Sequence, residues 1–237
     1  MKKFALLIMT SLALLTAHAV DIDYTNDSKI AAGLKLGMST SPSFDAEIII
    51  EYRPFRYIGA NVGLQFITPF NQRDNVISKS PETENSYWEL DNYKDALYRI
   101  VAKAGLQFTT PAVMLTKGEM GLSLRLSPGI IIPTQTNSSV TVNNYQLDTD
   151  SEVENDNKYT LVSQEECKNS GAKFCYWYAR AELVLEYEEN WEFAVGYTYN
   201  TLDLYGGSRN IVVDGTPIVI GKKEHINAFH LGLTYKF

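Results

Sequence analysis

The chain has 237 residues, with 21 lysines and arginines against 28 aspartates and glutamates, for a net charge of −7. Such acidity disfavours binding of nucleic acid or an anionic membrane surface through charge. Beyond the N-terminal segment no stretch approaches the roughly 18 consecutive apolar residues of a membrane helix. That excludes a helical membrane protein, whereas an aromatic content of 12%, with fifteen tyrosines, is rich for an ordinary soluble domain.

The first segment, "MKKFALLIMTSLALLTAHA", has two lysines, an apolar stretch over about 4–15 and the small-residue site Ala17-His18-Ala19. This is the layout of a secretory signal peptide, expected over 1–19, with the mature chain starting at Val20. Removing Lys2 and Lys3 leaves 19 basic against 28 acidic residues, a mature net charge of −9.

The mature chain alternates with a two-residue period, the signature of strands with one apolar and one polar face. The first run sets Ile30, Ala32, Leu34, Leu36 and Met38 against Lys29, Gly33, Lys35 and Gly37. The second opposes Phe44, Ile48, Ile50 and Tyr52 to Asp45, Glu47, Glu51 and Arg53, with Ile49 out of pattern. Pro54 ends it, since proline cannot donate to a ladder. The third places Ile58, Val62, Leu64 and Phe66 opposite Gly59, Asn61, Gly63 and Gln65. A polar loop is expected at about 68–95.

The fourth run opposes Tyr98, Ile100, Ala102, Leu106 and Phe108 to Arg99, Lys103, Gly105 and Gln107. The fifth opposes Met120, Leu122, Leu124 and Leu126 to Gly121, Ser123, Arg125 and Ser127. A second long loop is expected at about 133–174. In an oxidising compartment Cys167, inside it, and Cys175, just after it, are expected to form a disulfide.

The sixth strand sets Trp177, Leu183, Leu185 and Tyr187 against Tyr178, Arg180, Glu182 and Glu186. After a turn at "EENWE", the seventh opposes Phe193, Val195, Tyr197 and Tyr199 to Ala194, Gly196, Thr198 and Asn200. A third long loop is expected at about 203–224. The eighth, "INAFHLGLTYKF", puts Phe229, Leu231, Leu233, Tyr235 and Phe237 on one side and His230, Gly232, Thr234 and Lys236 on the other. Eight strands of about ten residues match the length a tilted membrane strand requires.

The polar sides decide which face is wet. They carry many glycines and nearly balanced charges, which suit a narrow closed lumen better than a solvated sheet face. The register points Lys29, Lys35, Arg53, Arg99, Lys103, Arg125 and Arg180 inward, with Asp45, Glu47, Glu51, Glu182 and Glu186. Of these, Lys35, Glu47, Glu51, Arg99, Lys103, Arg125, Arg180 and Glu182 form the expected lumen ion network. Aromatic residues fall in two belts. Tyr52, Tyr57, Phe108, Tyr187, Trp191, Phe193, Tyr235 and Phe237 lie beside short turns, and Phe66, Tyr98, Trp177, Tyr199 and Phe229 beside long loops. Membrane interfaces favour that placement, so the apolar face is expected to touch lipid.

The signal peptide, the eight alternating strands and the terminal "LGLTYKF" resemble the small bacterial outer-membrane β-barrels of the OmpA/OmpX type. The resemblance implies an all-β, eight-stranded antiparallel up-and-down transmembrane β-barrel over 20–237 in a Gram-negative outer membrane. It implies both termini in the periplasm and no periplasmic domain after Phe237. It also implies that Phe237 is the signal read by the barrel-assembly machinery during insertion. The expected partners are therefore outer-membrane lipid, that machinery and an extracellular ligand of the loops, with no nucleic acid.

The functional expectation is a non-enzymatic barrel acting in envelope structure or surface interaction through its loops, with no cofactor. An eight-stranded interior is just filled by side chains. The first alternative is a narrow channel or small-molecule carrier. A second is a lipid-modifying enzyme using His225 with Asp214 or Glu224, although no GxSxG or HExxH motif occurs. A soluble β-sandwich is the third. The acids Asp148, Asp150, Glu152, Glu154 and Asp156 recur at every second residue. They lack the spacing of a calcium loop and are expected to be a solvated acidic stripe, not a metal site.

Overall fold

The computed structural model describes residues 29–40, 43–55, 57–70, 76–83, 85–91, 97–116, 120–134, 139–148, 159–169, 171–188, 190–219 and 226–237. The expected signal peptide lies outside these residues, as do Glu224, His225 and all of the acidic stripe except Asp148. The strands are β1 (Ile30–Ser39), β2 (Ser43–Tyr52), β3 (Ile58–Pro69), β4 (Ser86–Asp91), β5 (Ile100–Thr109), β6 (Val113–Thr116) and β7 (Met120–Pro133). They continue with β8 (Ser139–Leu147), β9 (Tyr159–Lys168), β10 (Tyr176–Tyr187), β11 (Trp191–Asn200), β12 (Val212–Val213), β13 (Thr216–Pro217) and β14 (Ala228–Lys236).

Eight of these close on themselves. Pairing runs β10-β11-β14-β1-β2-β3-β5-β7, and β7 returns to β10. Every neighbour is antiparallel, and the last strand pairs with the first from Ala31↔Lys236 to Ser39↔Ala228. The amide of Phe237 continues that seam by donating to the carbonyl of Ile30 at 3.0 Å. Closure removes the sheet edges that alternating apolar strands would otherwise expose. The one lapse is between β5 and β7, where the pairing passes from Gly105↔Gly129 to Phe108↔Leu126. Pro128 has no N–H to give there.

The two faces separate as their two-residue period requires. Ile48 and Ile50, Val62 and Leu64, Val195, and Phe229 and Leu231 stand outward at 46–66% exposure. Lys35, Glu47, Glu51, Arg125 and Glu182 stand inward at 1–5%. This barrel is polar inside and apolar outside, the reverse of a water-soluble β-barrel.

The long connections are not open polar loops. Segments 70–99, 134–175 and 201–227 leave the same barrel end, and their described parts fold as a cap. A three-stranded sheet, β4-β8-β9, is formed between the first two, and a hairpin, β12-β13, in the third. One apolar core joins them. It takes Trp88, Leu90, Leu97 and Tyr98 from the first segment, Val140 and Val142 from the second, and Leu202, Leu204, Tyr205, Ile211 and Ile218 from the third. The strand ends supply Ile67, Val101, Ile131, Tyr176 and Tyr178. Apolar side chains buried this fully contribute about 1.5–3 kcal/mol each. The apolar core thus sits on the barrel mouth, not inside the barrel.

Two expected placements change. Tyr98 is not in the rim belt. The chain enters the wall only at Ile100, so Tyr98 turns into the cap at 1% exposure, edge-on to Tyr176 with ring centroids 6.4 Å apart. Its amide donates to the carbonyl of Leu204 at 2.9 Å. Lys29 is exposed just before β1 and is not a lumen residue. Elsewhere the rims carry ring pairs, Trp177–Tyr199 at 5.2 Å beside the cap and Trp191–Tyr235 at 4.9 Å at the opposite end.

Because the cap has its own core, Leu204→Ala is expected to weaken it by about 2–5 kcal/mol and leave the barrel closed. Limited proteolysis should accelerate within 70–99, 134–175 and 201–227, while the unboiled protein keeps its fast-migrating band on a denaturing gel.

Candidate functional site

The inward faces build two stacked clusters of charge. The cluster nearer the short turns centres on Glu192 and Glu51. Arg53 reaches both, with Nη2 at 2.8 Å from Glu192 Oε2 and a second contact to Glu51. Arg125 lies between the same two carboxylates, bonded to Glu192 and 3.6 Å from Glu51. Gln107 Nε2 donates to Glu51 Oε2 at 3.2 Å. At the rim Lys236 lies 3.5 Å from Glu186 and 3.8 Å from Glu192.

The cluster nearer the cap centres on Glu47 and Glu182. Lys103 Nζ donates to Glu47 Oε2 at 2.9 Å, and Arg180 pairs with the same oxygen. Lys35 pairs with Glu182 Oε1, and His230 Nε2 lies 2.9 Å from it. Asp45 accepts from Ser43 Oγ at 3.4 Å.

Across both clusters, among the described residues, six cations (Lys35, Arg53, Lys103, Arg125, Arg180, Lys236) pair with five carboxylates (Glu47, Glu51, Glu182, Glu186, Glu192), and Asp45 lies beside them on Ser43. Poorly hydrated charges persist only when paired in this manner.

Tyr178 separates this network from the cap. Its hydroxyl donates to Asn61 Oδ1 at 3.0 Å, and Lys103 Nζ lies 4.7 Å from its ring centre. Two glycines facing each other across β5 and β7 make room for the ring. A Cβ on Gly105 would meet the Tyr178 hydroxyl at 2.6 Å, and one on Gly129 would meet Cζ at 2.7 Å. The space left is small. A cavity of about 20 Å3 is lined by Lys35, Asp45, Glu47, Gln65, Lys103, Arg180 and His230, about enough for one water.

The structure brings Lys35, Glu47, Lys103, Arg180 and Glu182 into one cluster and Glu51 and Arg125 into the other. Arg99 is only half-buried and lies just before β5, beside the cap. Three lumen residues are absent from the inward set the sequence indicates: Glu192, His230 and Lys236, the last on the polar face of the final strand. Glu192 is 1% exposed, but it stands next to the turn "EEN" and reads as part of it. Its parity with Ala194 and Gly196 was the available signal. His230 was visible on the polar face, yet nothing in the sequence linked it to Glu182. Phe237 is 69% exposed and edge-on to Tyr235 at 5.2 Å.

The expected disulfide is not formed, and both cysteines are free thiols. Cys167 lies opposite Val140 in the cap sheet and packs against the apolar core. Cys175 is exposed ahead of β10, its thiol 3.4 Å from the Tyr176 carbonyl. Burial, and then Glu165 and Asp214, push the Cys167 thiol above its ordinary pKa.

No protein-family model and no curated protein sequence matches this chain. Among solved structures it is similar to neisserial surface protein A, at 10% identity over 88% of this chain and 94% of that one, with a TM-score of 0.40. The N-terminal barrel domain of Pseudomonas aeruginosa OprF gives 10% identity over 88% and 96%, with a TM-score of 0.33. Ail, the attachment invasion locus protein of Yersinia pestis, gives 10% over 88% and 95%, with a TM-score of 0.32.

The geometry of the lumen and of the thiols leads to two expected outcomes. Glu192→Ala strips the carboxylate from between two guanidiniums and is expected to cost about 3–5 kcal/mol in urea unfolding from lipid vesicles. Glu89→Ala, on the exposed face of β4, should stay within about 0.5 kcal/mol. In the folded protein a maleimide at pH 7 should modify Cys175 well before Cys167, because the raised pKa leaves Cys167 less thiolate. A folded protein with no titratable thiol would contradict this. By its own strand order the chain is a closed, eight-stranded antiparallel β-barrel.

Proposed function

We propose that the chain is a non-enzymatic integral outer-membrane barrel, a closed scaffold acting in envelope structure or surface interaction through its folded cap. One observation carries the reading. The lumen is filled by paired charges, with a cavity of about 20 Å3, and an apolar core lies over its mouth. Solute passage would require several buried ion pairs to separate together, and breaking even one costs several kcal/mol. The apolar outer wall with aromatic pairs at both rims supports burial in lipid. The described histidine, His230, is enclosed with Lys35, Glu182 and Arg180 and is poorly placed to meet a substrate. The terminal strand, with Phe237 beside Tyr235, fits recognition by the assembly machinery.

In planar bilayers the purified barrel is expected to give no steady single-channel conductance at neutral pH. A reproducible open level in the unmodified protein would refute the closed-scaffold reading. Recovery of the protein as a soluble species without detergent would refute the membrane reading as well.

A further inference from the structure

The cap carries a cleft that its apolar core does not explain. On the core-facing side of the β4-β8-β9 sheet, register pairs Leu90 with Val142, Trp88 with Asn144 and Ser86 with Gln146. Read along that face, β4 passes from leucine to tryptophan to serine, and β8 from valine to asparagine to glutamine. Ser163 on β9 pairs with Asn144. The face therefore changes from apolar to hydroxyl and amide within two strand repeats. Beyond that change lies a cleft of about 540 Å3, within the range of about 300–1,000 Å3 typical of small-ligand sites.

The lining restricts the ligand. Ser80, Thr83, Ser86, Asn144, Gln146 and Ser163 are neutral donors and acceptors, and among the described residues Asp214 is the one charged side chain lining it. Lys79, close by, is held on Glu82 at 2.6 Å and over the Tyr87 ring at 4.1 Å. A phosphate, sulfate or carboxylate would therefore find no cation in the described lining and would meet Asp214. A hydrocarbon would desolvate these polar side chains without replacing their hydrogen bonds. A neutral polyol fits both limits, since its hydroxyls donate to carbonyl and carboxylate oxygens and accept from hydroxyl and amide groups. Tyr87 and Tyr145, whose rings stack with centroids 4.9 Å apart, and the exposed Val162 offer apolar surface for the C–H face of a sugar ring. The Asn144 amide donates to Ser163 Oγ at 3.0 Å, which leaves Asn144 Oδ1 and the Ser163 proton for a ligand. Asp214, at φ 46° ahead of Gly215, is carried by the tight β12-β13 turn.

We propose that this cleft binds a neutral saccharide. The inference rests on the cap being the interaction surface and adds the chemistry of its partner.

The test uses the full chain folded in an uncharged, non-glycosidic detergent. It is applied to an array of neutral hexose and N-acetylhexosamine oligosaccharides with their sulfated and phosphorylated counterparts. Saturable binding to neutral members is expected, weakened at least tenfold by Asn144→Ala and by Asp214→Asn, in which asparagine tolerates the positive φ. Asn210→Ala, in a separate groove beside Arg209, should bind as the parent does. If either cleft variant loses its heat-dependent gel shift, the exposed Gln146→Ala and Ser163→Ala take its place with the same tenfold criterion. Binding to no neutral member, binding only to anionic members, or equal binding by parent and cleft variants would each overturn the assignment. None of those results alters the conductance or fractionation outcome, so the scaffold reading stands or falls separately.

Discussion

The constraint on which the structure depends is charge neutrality inside a narrow polar cylinder. A wall with an apolar outer face sends its polar side chains inward, and in this chain they include lysines, arginines, aspartates and glutamates. An isolated charge there would cost several kcal/mol. Six cations instead share five carboxylates, as Arg53 and Arg125 share Glu192 and Arg180 and Lys103 share Glu47. Glycine is part of the same solution. Gly105 and Gly129 give up side-chain volume so that Tyr178 can enter.

Neutral packing has a consequence for function. A cylinder filled with mutually bonded charge leaves little open space, and on the proposed reading recognition lies in the cap. There the chain uses the opposite physics. The long connections bury leucine, isoleucine, valine, tyrosine and tryptophan in one cluster over the mouth. They can then hold a sheet and a hairpin in fixed relation, which loops of water-exposed chain could not do. A surface so fixed can carry a built recognition site.

Much of the lumen is legible in the amino-acid pattern. The parity of Lys35, Glu47, Glu51, Lys103, Arg125, Arg180 and Glu182 separates them from their apolar neighbours, and no tertiary information is needed for that. Glu192 is equally legible by parity but lies beside a turn, where the ends of a strand are hardest to place. Tyr98 is misplaced when alternation is extended two residues past the true start of β5. In the connections the local signals exist, with Val140 and Val142 alternating and Leu202 and Leu204 likewise. Surrounded by serine, asparagine and acids, they read as loop.

The sequence by itself determined the eight wall strands, their two faces and the polarity of each, because a two-residue period is a local property of an extended chain. The tertiary structure alone decided who pairs with whom. Lys35 meets Glu182 across 147 residues only because closure of β1 on β14 brings opposite walls within side-chain reach. It alone gathered residues from three separate connections into one core, and it kept Cys167 and Cys175 as free thiols despite seven intervening residues. Each of these depends on the direction in which a distant segment returns, and a local pattern carries no record of that.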